Sequence, residues 1–135
     1  MKLSTRISTA EDGRLLMCLM QESELWHQDM DFSTAAGFWL IVEDREGPAG
    51  CIQTLISKPD GALNNLCLAK RLSDHGRGLV TRKLLIDGMA VLHANFGVSH
   101  VGGFVSFKTK GYKRVLKKRG GVPIDQGNYF MRRVS

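Results

Sequence analysis

Residues 62–92, ALNNLCLAKRLSDHGRGLVTRKLLIDGMAVL, hold a short apolar run, a polar glycine-bearing break and a long apolar-periodic segment in immediate succession. Leu63, Leu66 and Leu68, with Cys67 beside them, have the length and composition of a buried strand, which Ser73, Asp74, Gly76 and Gly78 interrupt. Val80, Leu84, Leu85, Met89, Val91 and Leu92, with Gly88 among them, then recur along one face of a helix. Asn95-Phe96-Gly97 ends it, Gly97 suiting a left-handed cap. A loop that ends at a helix N-terminus offers N–H groups without intrahelical partners and the positive end of the macrodipole. An anion site for phosphate is therefore expected near Gly76 to Val80. Taken alone, Gly76-Arg77-Gly78 also fits an ordinary tight turn. The stretch lacks both the third glycine of the dinucleotide fingerprint and the Gly-Lys-Ser/Thr ending of the P-loop.

Outward from that unit, Lys2 to Ser8 alternates as a first strand, and Thr9 with Asp12 three residues on forms a capping box for a helix. Leu15, Leu16, Leu19 and Met20 give that helix its apolar stripe, with Arg14, Gln21 and Glu22 on the wet side. The segment 23–37 loses periodicity and reads as a short second helix plus loop, where Trp26, His27 and Asp29 are candidate grips on a substrate. Phe38 to Asp44 is a strand apolar on both faces, and so central. A turn over 45–50, a strand from Cys51 to Ser57 and a type I or II turn at Lys58-Pro59-Asp60-Gly61 complete an antiparallel meander. After the long helix, Val98 to Val105 is a strand with a bulge or close backbone approach at Gly102-Gly103. Ser106 to Arg119 is a basic helix stopped by Gly120-Gly121, and Val122 to Val134 is a final strand or hairpin.

The chain of 135 residues is expected to form one domain with one core. No apolar run approaches the roughly 20 residues of a membrane span, and no secretory apolar region follows Met1, so a cytoplasmic protein is expected. Cys18, Cys51 and Cys67 are odd in number and set among apolar neighbours, the pattern of buried free thiols rather than of disulfides or a metal site. The net charge of +6 conceals an asymmetry: residues 1–69 carry 5 Lys/Arg against 10 Asp/Glu, and residues 70–135 carry 14 against 3. Everything after the candidate anion loop is basic, as a polyanionic ligand would require.

The element order, the length and the central loop resemble the GNAT superfamily of N-acetyltransferases. His75-Gly76-Arg77-Gly78-Leu79-Val80 is similar to that family's Arg/Gln-x-x-Gly-x-Gly/Ala pyrophosphate signature, with His75 in the Arg/Gln place and Val80 in the Gly/Ala place. A second register puts Ser73 at the Arg/Gln place and Gly76 and Gly78 on the two glycines. The resemblance implies a single-domain α/β (α+β) fold. Its sheet is mixed, mostly antiparallel and twisted, with a central β-loop-α-β crossover and helices on both faces. It implies acetyl-CoA or another acyl-coenzyme A as cosubstrate, no metal, and an amine acceptor. The amides of Gly76 to Val80 would take the pyrophosphate, and the strand at Cys67 and Leu68 would pair its backbone with the pantetheine arm. Asn64-Asn65 would form the bulge that in this family separates two splayed strands, or else simply bond locally. The family often carries a Tyr four residues before the glycine ending the last helix; that place is Leu116 here, and Tyr112, one turn earlier on the same face, is the candidate general acid.

Attack of an amine on a thioester needs a deprotonated amine, a polarised carbonyl and a protonated leaving thiol, much of which positioning and backbone N–H groups supply. Glu43, His100 and His27 are candidate bases; as a strand end, a core histidine and a surface residue they also have structural readings, and His93 reads as structural. Two further classes stay open: a catalytically inactive GNAT-like CoA-binding or structural module, and a nucleic-acid-associated protein. The latter would use Lys108, Lys110, Lys113, Arg114, Lys117, Lys118 and Arg119, interleaved with Phe107 and Tyr112. A homodimer is compatible with any of these.

Overall fold

The computed structural model describes residues 2–23, 37–104, 114, 117–118, 120, 122–125 and 129–133. Strand β1 (Ser4–Ile7) leads through a 3-10 turn (Ala10–Asp12) into helix α1 (Gly13–Glu22). A meander follows, β2 (Gly37–Asp44), β3 (Gly47–Ser57) and β4 (Asp60–Leu68), and then the long helix α2 (Asp74–Phe96). Strand β5 (His100–Phe104) and the antiparallel pair β6 (Val122–Asp125) and β7 (Tyr129–Arg133) complete one sheet of order β1-β2-β3-β4-β5-β7-β6. Every neighbouring pair is antiparallel except β4 and β5, which the α2 crossover makes parallel.

The two faces of the sheet explain the unbroken apolar run of β2. Trp39 and Ile41 pack with Leu16, Leu19 and Met20 of α1 and with Cys51 and Cys67. Phe38, Leu40 and Val42 pack with Ile52, Leu63 and the α2 residues Val80, Leu84, Leu85 and Leu92. A strand covered on both sides has no wet face on which polar residues would be favoured. Helix α2 ends as its sequence suggests, with Gly97 left-handed at φ 66° and donating to the His93 carbonyl.

Several expectations are corrected. The turn after β2 is confined to Arg45 and Glu46, since β3 already begins at Gly47 and runs through Pro48. The turn after β3 is neither type I nor type II: Lys58-Pro59 is cis with Ser57 paired to Asp60, which makes it a type VI turn. Pairing of β5 with β7 passes through Gly102 and Gly103 without a register shift, so the glycines mark no bulge there. Cys51 and Cys67 are buried, but Cys18 is exposed on α1. Residues 24–36 and most of 106–119 lie outside the described residues; Arg114, Lys117 and Lys118 are helical and exposed, and Gly120 takes φ 82° after them.

Arg6 of β1 ties the start of α1 to the sheet. Its Nη1 and Nη2 donate to the two oxygens of Asp12 at 2.7 and 2.8 Å, and its Nε donates to Glu43 at 2.8 Å. Thr9 N–H donates to Asp12 as well, at 2.7 Å, closing the expected box. The Arg6 guanidinium, then the Thr9 amide, hold the Asp12 carboxyl well below the usual carboxylate range. A depressed carboxyl contributes stability that is present above its unfolded value, near pH 4, and is lost as pH falls through the folded value. Urea unfolding is therefore expected to weaken steadily below about pH 4. Asp12→Asn should flatten that fall and cost about 1–2 kcal/mol at pH 7, Arg6 being partly exposed. An unchanged pH profile in the variant would remove Asp12 from this role.

Candidate functional site

The parallel pair opens after three residues. Asp60, Gly61 and Ala62 of β4 face His100, Val101 and Gly102 of β5, and pairing among the described residues ends there although β4 continues to Leu68. One strand spacing further, the β3–β4 register shifts: Gln53 is opposite Asn64 and Cys51 is opposite Cys67, so Asn65 and Leu66 together oppose Ile52. Asn65 takes φ 54°, which Asn tolerates better than most residues, and its Nδ2 donates to Gln53 Oε1 at 2.8 Å. The extra residue inverts the alternation of the strand. Leu66 and Leu68 consequently join Leu63 on the α2 side, and Cys67 turns to the α1 side across from Cys51. The Cys67 thiol, then burial, push the Cys51 thiol well up, which disfavours its thiolate.

The outward edge of β4 is reached by a side chain. Ala69 N–H donates to the Ala49 carbonyl at 2.8 Å, so Ala69 and, by alternation, Cys67 direct their peptide groups at β3. Leu68, between them, directs its own away from β3, into the opening. There the Ser23 hydroxyl, at the end of α1, accepts from Leu68 N–H at 2.9 Å and donates to Leu68 C=O at 3.1 Å. Nothing in the sequence marks this contact, which joins residues 45 apart.

At the far end of β4 the chain enters α2 earlier than the glycines suggest. Ser73 is the N-cap: its Oγ accepts from Gly76 N–H at 3.0 Å, and its carbonyl accepts from Arg77 N–H at 2.8 Å. Gly76, Arg77 and Gly78 thus belong to the first turns of the helix rather than to a loop, and the amides of Gly78, Leu79 and Val80 are spent on intrahelical bonds. The donors a helix start leaves over are those of Asp74 and His75. The expected cradle at Gly76 to Val80 moves one turn toward the N-terminus for that reason. The side chains of His75 and Arg77 are exposed at this end, Leu79 is half-buried and Val80 is fully buried in the core. Gly78 is exposed, and a Cβ built on it would meet no atom within 4 Å.

Arg71 fixes the approach to the helix. Its guanidinium donates to both Asp44 oxygens and to Glu46, each at 2.8 Å, and to the carbonyls of Pro48 and Gly47 at 3.1 and 3.3 Å. The Arg71 guanidinium pulls the Asp44 carboxyl below its ordinary range, and Asp44 raises Arg71 in return. A cleft of about 620 Å³ opens beside this clamp, reaching from Lys2 and Arg45 to Ser73. Arg71→Ala should loosen the segment 69–73 and lower stability by about 1–2 kcal/mol, since the guanidinium is partly exposed while the Asp44 side chain is not. Faster amide exchange at 69–73 would register it; unchanged exchange would show that the loop holds itself.

Glu43 and His100 do not meet at the opening. Glu43 is held by Arg6 on the α1 side, two strands from β4. His100 starts β5 opposite Asp60, its Nδ1 at 3.9 Å from the Asp60 carboxylate and 3.2 Å from Ser99 Oγ. Asp60 lies eight residues before Leu68, a strand length of about 26 Å, so His100 stands at the closed end of the pair. His93 is structural, its Nδ1 at 3.0 Å from the Val98 carbonyl. Asp12 and Glu43 are ion-paired with Arg6, and Asp44 and Glu46 with Arg71, so each guanidinium is shared between two carboxylates of the acidic half. Tyr112, Leu116, Trp26, His27 and Asp29 lie outside the described residues. No group of three or more metal-ligating side chains occurs among the described residues, and no described helix is long and apolar enough to cross a membrane.

A mixed sheet whose central parallel pair splays beside a bulge, with a helix N-terminus at the end of the splayed strand, is the fold of the GNAT acetyltransferases, and solved structures of that class match nearly the whole chain. An acetyltransferase of the GNAT family from Staphylococcus aureus matches 99% of this chain and 100% of its own at 12% identity, with a TM-score of 0.77. The IAA acetyltransferase of Bacillus cereus matches 98% and 99% at 12% identity and TM-score 0.77. The PaiA N-acetyltransferase of Thermoplasma acidophilum, solved in complex with coenzyme A, matches 97% and 98% at 15% identity and TM-score 0.73. No family model matches the chain, and no curated protein matches it in sequence.

Proposed function

We propose that residues 1–135 form a single cytoplasmic domain that transfers an acyl group from an acyl-coenzyme A, acetyl-CoA in the first instance, to an amine by direct attack in a ternary complex. The observation that carries this reading is the coincidence of the β4–β5 opening with the α2 N-terminus at the end of β4. An extended, amide-bearing arm fits the outward peptide groups of β4, and a diphosphate fits the N–H groups of Asp74 and His75 with Arg77 beside them. Asp74, in the same first turn, opposes an anion and sets a limit on the affinity.

In the reaction the amine nitrogen attacks the thioester carbonyl, the C–N bond forms and the C–S bond breaks, and the nitrogen's proton is lost as the thiolate gains one. Outward N–H groups of β4 polarise the carbonyl. Tyr112 is assigned as the proton donor to the thiolate, and the acceptor sits against the segment carrying Trp26, His27 and Asp29. Glu43 and His100 receive no part in the chemistry, one being ion-paired and the other remote.

The test is calorimetric titration with CoA and acetyl-CoA, followed by thiol release from acetyl-CoA over a panel of small amines, polyamines and lysine peptides. Binding with release supports the enzyme, and Tyr112→Phe is then expected to lower kcat by about 10²-fold or more with little change in KM. Binding without release on any amine identifies a binding module instead. Absence of binding overturns the proposal.

A further inference from the structure

Resting on the acyl-CoA reading, we infer that Ser23 is a latch: in the free protein its hydroxyl occupies the peptide groups of Leu68 that an amide-bearing arm would use, and the end of α1 must withdraw for the arm to bind. One hydroxyl serves both outward groups of Leu68, accepting at 2.9 Å and donating at 3.1 Å, just as a neighbouring peptide would. The strand that could otherwise satisfy them, β5, has already parted from β4 six residues earlier at Ala62. Ser23 is also where α1 stops, its own N–H still bonded to the Leu19 carbonyl at 3.1 Å. The contact therefore sits on a helix end, which frays more readily than a helix interior.

Such an arrangement couples two states. With the latch closed, both outward peptide groups of Leu68 are satisfied. With it open, the same groups are free for an incoming N–H and C=O. Ligand affinity is then reduced by the fraction of molecules in the open state, and removing the hydroxyl abolishes that reduction. Latch and ligand compete for the same two hydrogen bonds. Each is worth a modest net amount, so the expected gain is roughly five- to tenfold.

The experiment uses the full chain with CoA as the probe. Ser23→Ala is expected to bind CoA about five- to tenfold more tightly than wild type. Ser23→Thr, which keeps the hydroxyl, should retain wild-type affinity. In parallel, hydrogen exchange of the Leu68 amide should be slow in the free wild type, fast in free Ser23→Ala, and slow again in Ser23→Ala with CoA. Equal or weaker CoA binding by Ser23→Ala overturns the latch while leaving the CoA site standing. If neither protein binds CoA, the exchange decides alone. A Leu68 amide fast only in Ser23→Ala leaves the cover in place and sinks the choice of ligand; one equally slow in both proteins sinks the cover itself.

Discussion

Gly78→Glu is expected to abolish measurable CoA binding while leaving the fold intact and slightly more stable. The two effects separate because of where the residue sits. Gly78 lies in the second turn of α2, exposed, with nothing within 4 Å of the position its Cβ would take. Replacing Gly by Glu in an open helical position gains about 0.5 kcal/mol of helix propensity, a rise in Tm of about 2 °C. A diphosphate held at the helix start would meet the new carboxylate at close range. At about 6 Å and an effective dielectric near 20, each phosphate charge adds about 3 kcal/mol of repulsion before salt screening, which suffices for a loss of at least about 100-fold. Thermal denaturation and calorimetry on the one variant read both effects. A folded Gly78→Glu that keeps its CoA affinity would remove the phosphates from this end of α2, whatever the fold resembles. Gly78→Ala, which adds no charge, should bind CoA with only a small loss.

The parts of this architecture that were legible in the chain are those written in local pattern. The run Phe38 to Val42 required a strand covered on both faces, and α1 and α2 supply the covers. The bulge at Asn64-Asn65 follows from the family resemblance rather than from local pattern, and Asn65 with its positive φ forms it. The start of α2 is hard to read in the chain because Gly76 and Gly78 resemble loop formers. Ser73, three residues before Gly76, caps the helix ahead of both glycines, although each costs about 1 kcal/mol in a helix. The type VI turn is illegible because an isolated Lys-Pro pair is compatible with either isomer. The contacts of Arg71 and Ser23 are illegible for a different reason. Their partners are 23–27 and 45 residues away, and no periodicity encodes a side chain reaching across a sheet. The surroundings of Glu43 and His100 are illegible for the same reason, since residue type alone gives no sign of Arg6 at the one or of the strand length separating the other from Leu68.

Val80→Gly, which would bring the sequence nearer to the Gly/Ala of the signature it resembles, is expected to destabilise the protein by about 3–4 kcal/mol and to leave CoA affinity unimproved. Were the valine facing the anion site, the smaller residue would open that site. Instead Val80 is fully buried among Leu84, Leu85, Ile52 and Ala49. Its Cγ1 lies 2.8 Å from where a Cβ on Gly50 would stand, so the methyl on the helix fills the space left by the missing one on β3. Helix and strand have shared one volume, large on α2 and null on β3. Gly50→Ala alone should cost about 1–3 kcal/mol by overpacking, and Val80→Ala alone about 2 kcal/mol by leaving a cavity. Combined, they should cost at least about 1 kcal/mol less than their sum, because each relieves the fault of the other. The relief is incomplete, since the Cys67 carbonyl at 2.9 Å from the new Cβ belongs to the backbone and cannot be trimmed. Urea unfolding of the four proteins measures the coupling. Strict additivity would mean that the two sites do not share a volume, and the burial of Val80 would then need a cause other than the absence of a side chain at Gly50.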